Sequence, residues 1–494
     1  MTMIDHRLYA AAQVRELDRR AIGDHGIPGY TLMRRAAAAA WNAAHDRWPL
    51  LRTVAVVAGS GNNGGDGYEI ARLAQAAGCK VRVCEIDGQA SKGDAATART
   101  AWLGQGAIER FEDAGDDFFK ADLIVDAIFG TGLSRPPQGA ALAAIEAIAR
   151  ARGQGALVLA VDIPSGLQAD TGAILGQAVR ADLTVTFIGR KLGLHTGQGP
   201  GCTGPVVFDA LEVPAAVYTD IAPLARLLDA NDLRQWLPPR PRTAHKGDNG
   251  HVLVIGGDAG TIGAVLLAAR AAMRAGAGLI SVATRDVHAP LLTAAQPELM
   301  CRGVEAAGEL QTAIGRADVI AIGPGLGQGE WGRMACAEAF SAGKPLVVDA
   351  DALNLLAQSP QRNERWILTP HPGEAGRLLG ISTAEVQADR LKATGELRQR
   401  YGGVALLKGA GTLVQGDDES VLCPYGNPGM GVGGMGDALT GIAAAFLAQG
   451  LNPESAAAAA VLAHALAGDR AARDGERGLV PSDLIEALRA VVNP

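Results

Sequence analysis

Aromatic residues are scarce in this chain, at 4% of its 494 residues. Basic charge is also in the minority: 45 Lys and Arg face 52 Asp and Glu, for a net charge of -7. No basic tract interleaved with aromatics is present, which argues against sequence-independent nucleic-acid binding. Acidity does not bar anionic nucleotides, because backbone N–H groups and helix N-termini bind them locally. The six cysteines (Cys79, Cys84, Cys202, Cys301, Cys336 and Cys423) form no Cys-x-x-Cys pair and no paired framework. They read as buried or incidental thiols in a reducing compartment rather than disulfides or a zinc site. No apolar run reaches the roughly 18 residues that span a bilayer, and the opening MTMIDHRLYAAAQVRELDRR lacks an apolar signal core. The expectation is a soluble cytoplasmic protein with no membrane partner.

What the chain does have is glycine (65 residues), much alanine, and an ordinary balance of 48% hydrophobic and 20% charged residues. Its length suits two or three domains, and small residues suit close packing of helices on sheets. After helical periodicity at 8–22 and 31–45, apolar β-branched runs alternate with helical stretches. The first series reads as strand 53–58, a Gly-rich loop, helix 69–77, and strands 80–86, 121–130, 156–166 and 181–189. The pattern pauses over 211–243, with Pro- and Arg-rich QWLPPRPRTAHKG at its end, placing a boundary near 220–230. A second series follows: strand 251–257, helix 262–275, strands 279–284, 318–327, 345–351, 365–374 and 403–414, then helices after Gly436 and at 453–472 and 482–491. Such alternation predicts α/β architecture with two doubly wound, mostly parallel sheets, at 1–222 and 223–494.

In the first half, GSGNNGGDG (59–67) follows a strand and precedes a helix. Gly59, Gly61 and Gly64 fit a dinucleotide fingerprint, with Glu85 at the distance of a ribose-binding acid. Asn62, Asn63 and Asp66, however, crowd positions that such fingerprints keep small or apolar. VDAIFGTGL (125–133) and VDIPSGL (161–167) bring Asp126, Asp162 and Ser165 to further strand ends. One Asp alone reads as a helix cap, but three loops at the carboxyl edge of one sheet favour a site. Asn63, Asp126 and Ser165 are hard oxygen donors suited to a monovalent cation.

In the second half, GNPGMGVGGMGDALTG (426–441) sets glycine-rich backbone beside Asp437 at a helix start. Its amides and helix dipole can face an anion while Asp437 removes a proton from an attacking hydroxyl; a simple helix cap is the competing reading. KGAGT (408–412) offers Lys408 and flexible backbone for a phosphate or ribose, or else a surface turn. His371, framed by prolines in LTPHPGE (368–374), is a stiffly oriented binding group or a space-filling turn residue. GPGLG (323–327) is a further backbone platform, and Asp349 and Asp351 lie near the same edge.

GNNGGDG, VDAIFGTGL and VDIPSGL, in this order, resemble the NAD(P)H-hydrate epimerase family over roughly residues 8–215, with Ala37 where that family's opening helices lead one to expect Gly. The resemblance implies a Rossmann-like domain. Asn62, Asn63, Gly64, Gly65 and Asp66, with Gly130, Thr131, Gly132, Leu133, Ser134, Arg135 and Pro136, would bind the hydrate. Asp162 would contact it as a proton carrier, and Asn63, Asp126 and Ser165 would hold potassium. HKGDNGHVLVIGGDAGTIGA (245–264), PHPGE, KGAGT, GNPGM and GGMGD resemble the NAD(P)H-hydrate dehydratase family, a branch of the ribokinase-like fold, over about 235–494. That likeness implies ADP on Lys408, Gly409, Ala410, Gly411, Thr412 and Gly436. It implies hydrate on Ala264, Gly325, His371 and Asp437, with magnesium assisting. The expected substrates are the hydrates of NADH and NADPH, and a homo-oligomer is compatible with the resemblance. Two rivals stay open: a small-molecule kinase with a regulatory first domain, and a non-catalytic first domain.

Overall fold

The computed structural model describes residues 6–86 and 92–494, so the first five residues of the charged opening lie outside it. Two compact units emerge, Met1–Arg226 and Leu227–Pro494. No helix among the described residues is long and apolar enough to cross a membrane.

The first unit holds a seven-stranded sheet. In chain order its strands are Thr53–Ala58, Lys80–Glu85, Ile108–Arg110, Leu123–Ala127, Leu157–Val161, Leu183–Phe187 and Val206–Asp209. In space they run 3-2-1-4-5-6-7, all parallel. Strand side chains alternate between faces, and here both faces are covered. Val54, Val56 and Ala58 pack toward the helices Gly29–Arg47 and Asn62–Ala76, while Ala55 and Val57 pack toward Gly139–Gly153. Ala37 is fully buried in the first of these layers. Direction along the sheet reverses between the first and fourth strands, opening a crevice at their carboxyl ends.

The second unit repeats this logic with nine strands. They are His251–Ile255, Leu279–Thr284, Met300–Gly303, Val319–Ile322, Leu346–Val348, Trp366–Leu368, Val404–Leu407, Thr412–Gln415 and Val421–Cys423, arranged 3-2-1-4-5-6-7-8-9. The first seven are parallel; the eighth runs antiparallel to the seventh and the ninth antiparallel to the eighth. One face buries the helices Ile262–Arg274, Met435–Ala448, Pro453–Ala471 and Pro481–Val491; the other buries Trp331, Ala335 and Leu353. Small residues permit close helix contact: a Cβ on Gly441 would lie 2.0 Å from the Ala268 carbonyl oxygen.

Three local expectations are corrected. The helix expected at 69–77 spans Asn62–Ala76, so the polar GNNGGD segment is its first turns rather than a loop. The single strand expected over 403–414 is a hairpin, because Gly409 (φ 138°) and Gly411 (φ 65°) turn the chain between two short strands. The strand expected through 365–374 stops at Leu368, since Pro372 opens a helix capped by His371.

Candidate active sites

In the first unit the crevice opens into a cavity of about 730 Å³, bordered by Asn62, Asn63, Asp66, Gly130–Arg135 and Asp162. Asp18 and Lys191, neither singled out from the sequence, join them. Asp162 adopts φ 69°, a left-handed conformation that is costly for a side-chain-bearing residue. Its carboxylate accepts hydrogen bonds from Thr186 Oγ1 (3.2 Å) and from the buried Lys191 ammonium. Lys191 also donates to Thr186 Oγ1 at 3.0 Å and to the Phe187 carbonyl at 3.2 Å. Burial, with Asp162 and Asp18 adding repulsion, pushes the Asp66 carboxyl well above its usual range. Burial likewise raises Asp18 to about 6, against the opposing charge of Lys191. Asp66, raised furthest, thus shares a cavity with an ion-paired carboxylate, an arrangement in which one group can give a proton and the other take one.

Not every expected residue reaches this cavity. A Cβ on Gly64 would lie 1.9 Å from the Gly59 carbonyl oxygen, and one on Gly65 would lie 2.6 Å from Met33 Cε. Gly64 and Gly65 therefore serve helix packing and do not border the cavity, and exposed Pro136 does not border it either. Glu85 is not a free ribose acid: Arg99 pairs with it at 2.9 Å and Tyr68 donates to it.

Of the three expected potassium ligands, Asn63 lies beside Gly130, where an added Cβ would be 3.7 Å from that of Asn63, and Ser165 accepts from the Phe129 amide at 3.0 Å. Asp126 is wholly buried and Ser165 nearly so. Ser165 Oγ donates to Asp126 Oδ1 at 2.6 Å, and the Ser165 amide donates to Oδ2 at 2.8 Å. Burial raises Asp126 to about 6 even though these bonds oppose it. Asn63 is 8% exposed, and its Nδ2 is buried with no hydrogen-bond partner among the described residues. Asp126 and Ser165 are buried oxygen donors of the kind a monovalent cation takes, and Asn63 could add only its carbonyl oxygen, because the orphaned Nδ2 is itself a hydrogen-bond donor.

In the second unit, helix Met435–Ala448 starts after Gly434 (φ 94°), which puts Asp437 in its first turn. Asp437 makes no side-chain hydrogen bond among the described residues, so it is not a helix cap. The Met435, Gly436 and Asp437 amides lack protein acceptors there too, and point as helix N-terminal donors do. Burial raises the Asp437 carboxyl to about 7, with Asp349 and Glu374 adding to the effect and Lys408 opposing it. Lys408 Nζ donates to Asp349 Oδ1 at 2.7 Å and lies 3.9 Å from Glu374. Thr440 Oγ1 donates to Asp349 Oδ2 at 2.8 Å. Burial alone would lower Lys408, but these carboxylates outweigh it and hold the ammonium above its ordinary range. A Cβ on Gly436 would sit 3.1 Å from Lys408 Nζ, which ties that glycine to the cluster.

His371 Nδ1 accepts from the Gly373 amide at 2.9 Å while Glu374 accepts from the His371 amide at 2.8 Å, a reciprocal cap that fixes the imidazole. The ring is half exposed and lowered from its usual value by burial and then by Lys408. The Gly325 carbonyl accepts from the Asp258 amide (2.7 Å) and Thr261 Oγ1 (2.8 Å), placing it beside the helix that carries Ala264, in the crevice between first and fourth strands. Asp351 does not join Asp349: it accepts from the Gly327 amide at 2.9 Å and holds that loop. No group of three or more His, Cys, Asp or Glu arranged for a metal exists among the described residues. Magnesium that rides on nucleotide phosphates needs few protein ligands. Glu374 and Thr440 were not singled out from the sequence, although each lies inside a quoted motif; Lys191 and Asp18 lie outside the site motifs.

Fold and sites together define an α/β protein of two units, each with a cluster of raised carboxyls at the carboxyl edge of its parallel strands. Residues 252–490 match the family model for NAD(P)H-hydrate dehydratase, and residues 29–193 that for the YjeF-related protein N-terminus. A bifunctional NAD(P)H-hydrate repair enzyme from Coxiella burnetii is 47% identical over 99% of this chain and 99% of its own length. One from Escherichia coli is 45% identical over 99% of this chain and 95% of its own. A ribokinase-like superfamily protein from Enterococcus faecalis, 31% identical, superposes with a TM-score of 0.51 over 54% of this chain and 95% of that one. The chain belongs to the bifunctional NAD(P)H-hydrate repair enzyme family, which joins an epimerase and a dehydratase, an isomerase and a lyase, in one polypeptide.

Proposed function

We propose that the first unit interconverts the R and S hydrates of NADH and NADPH, and that the second dehydrates the S form while ADP becomes AMP and phosphate. In the second unit Asp437 takes the proton of the carbon 6 hydroxyl. The freed oxygen attacks the β-phosphorus of ADP, and the bond from that phosphorus to the bridging oxygen breaks to release AMP. Lys408 and the first-turn amides balance the charge that develops on the moving phosphoryl group. Hydroxide is a poor leaving group and phosphate a good one. Phosphate then departs from carbon 6 as carbon 5 loses a proton, restoring the ring double bond. Magnesium bound with the nucleotide would supply charge neutralisation on its phosphates. The observation that carries this reading is Asp437, a carboxyl raised to about 7 beside acceptor-free amides and Lys408.

In the first unit Asp66 protonates the departing hydroxyl, the carbon–oxygen bond breaks with electron supply from the ring nitrogen, and water adds to the opposite face. Asp162, oriented by Lys191 and Thr186, accepts the proton of that water. Potassium on Asn63, Asp126 and Ser165 would stiffen the loops that frame the cavity. Cytoplasmic residence agrees with six unpaired cysteines. The test incubates the hydrate epimers with ADP and measures reduced nicotinamide, AMP and phosphate together. A stable phosphorylated product in place of free phosphate would favour a small-molecule kinase.

A further inference from the structure

The turn that joins the seventh and eighth strands of the second unit rests on a buried cation. Arg390, 1% exposed, sends Nη2 toward the carbonyls of Leu407 (3.2 Å) and Lys408 (3.3 Å), with that of Gly411 at 3.5 Å. Its Nη1 donates to Gln387 Oε1 at 2.8 Å, and a Cβ on Gly409 would lie 3.0 Å from the same nitrogen. The guanidinium is packed directly under the turn.

A trans peptide sets its N–H opposite its C=O. When the Lys408 carbonyl is drawn inward to Arg390, the N–H of Gly409 on the same peptide must face outward. Gly409 and Ala410 are exposed, and neither amide has a protein acceptor among the described residues. The Lys408 amide, by contrast, is engaged by the Pro370 carbonyl at 2.9 Å. The turn therefore presents free donors to solvent with a positive charge behind them, an arrangement complementary to an anion.

We infer that Arg390 is a positioning residue for nucleotide: it orients the Lys408–Gly411 turn so that its outward amides, backed by the guanidinium charge, grip a phosphate of the nucleoside diphosphate. The inference rests on ADP being the donor of the second unit and assigns which part of it this turn holds.

Arg390→Gln keeps donors for the carbonyls but removes the charge, and Arg390→Lys keeps the charge but loses the planar fork. In both variants the KM for ADP is expected to rise, by about tenfold in Arg390→Gln as for loss of one charge-supported contact. The kcat and the KM for hydrate should stay near wild type. AMP should weaken as a competitor in step with ADP, whereas adenosine, lacking phosphate, should compete as before. Unchanged KM for ADP, equal weakening of adenosine, or a uniform fall in all parameters would overturn the assignment. Arg390→Lys retains a buried cation if Arg390→Gln does not fold, and epimerase turnover monitors the rest of the chain. Wild-type protein that used no ADP would instead remove the underlying reading.

Discussion

Asp437 holds its proton to about 7, so its competence as a base appears only as pH rises through that value. Dehydratase kcat is therefore expected to climb about tenfold per pH unit below neutrality and to level off above it, read from initial rates across pH. The same displacement has a stability consequence. The folded carboxyl is raised from 3.8 to about 7, so its neutral form is tolerated and its ionised form is penalised. Stability of the second unit should fall as pH rises from near 4 through 7. Asp437→Asn should flatten that fall, and a melting temperature no higher than wild type at pH 8 would contradict the burial argument. The same variant should lose about 10²–10⁴-fold in dehydration, the worth of a general base, with epimerisation intact. In the first unit Lys191→Met should cut epimerisation by removing the group that orients Asp162, while dehydration continues at its usual rate.

Helix Met435–Ala448 carries the second site and is held by its tight crossing with Ile262–Arg274. A methyl group on Gly441 would meet the Ala268 carbonyl at 2.0 Å and the Ala272 amide nitrogen at 3.0 Å. Gly441→Ala is expected to destabilise the second unit by about 1–3 kcal/mol through overpacking, measured by denaturant unfolding; unchanged stability would show that the helices separate freely. At this scale the sequence was readable where periodicity decided structure: the buried strands Thr53–Ala58, His251–Ile255 and Leu279–Thr284 stand where their β-branched runs put them. It misled where intrinsic propensity and tertiary packing disagree. Asn62, Gly64 and Gly65 are poor helix formers, yet they begin a helix because Gly64 and Gly65 allow it to press against Gly59 and Met33. The site motifs were legible because dense glycine and carboxylates mark backbone turns at strand ends. Lys191, Asp18 and Arg390 were not, because each is an ordinary charged residue whose meaning comes only from what the fold folds it against.

Two unlike chemistries in one chain make sense if one consumes a single epimer and the other replenishes it. Asp162→Asn should separate them: with both hydrates and ADP present, recovery of reduced nicotinamide should stop after the S form is exhausted and then creep at the uncatalysed epimerisation rate. Full-speed recovery to completion in that variant would deny Asp162 its part. The most direct test of the whole account uses unaltered protein, a mixture of R and S hydrates, and excess ADP, with absorbance of the reduced ring, AMP and free phosphate followed in the same vessel. The account predicts complete recovery of the coenzyme with AMP and phosphate formed in equal amounts. No recovery, or nucleotide cleavage that leaves a lasting phosphorylated product, would contradict it.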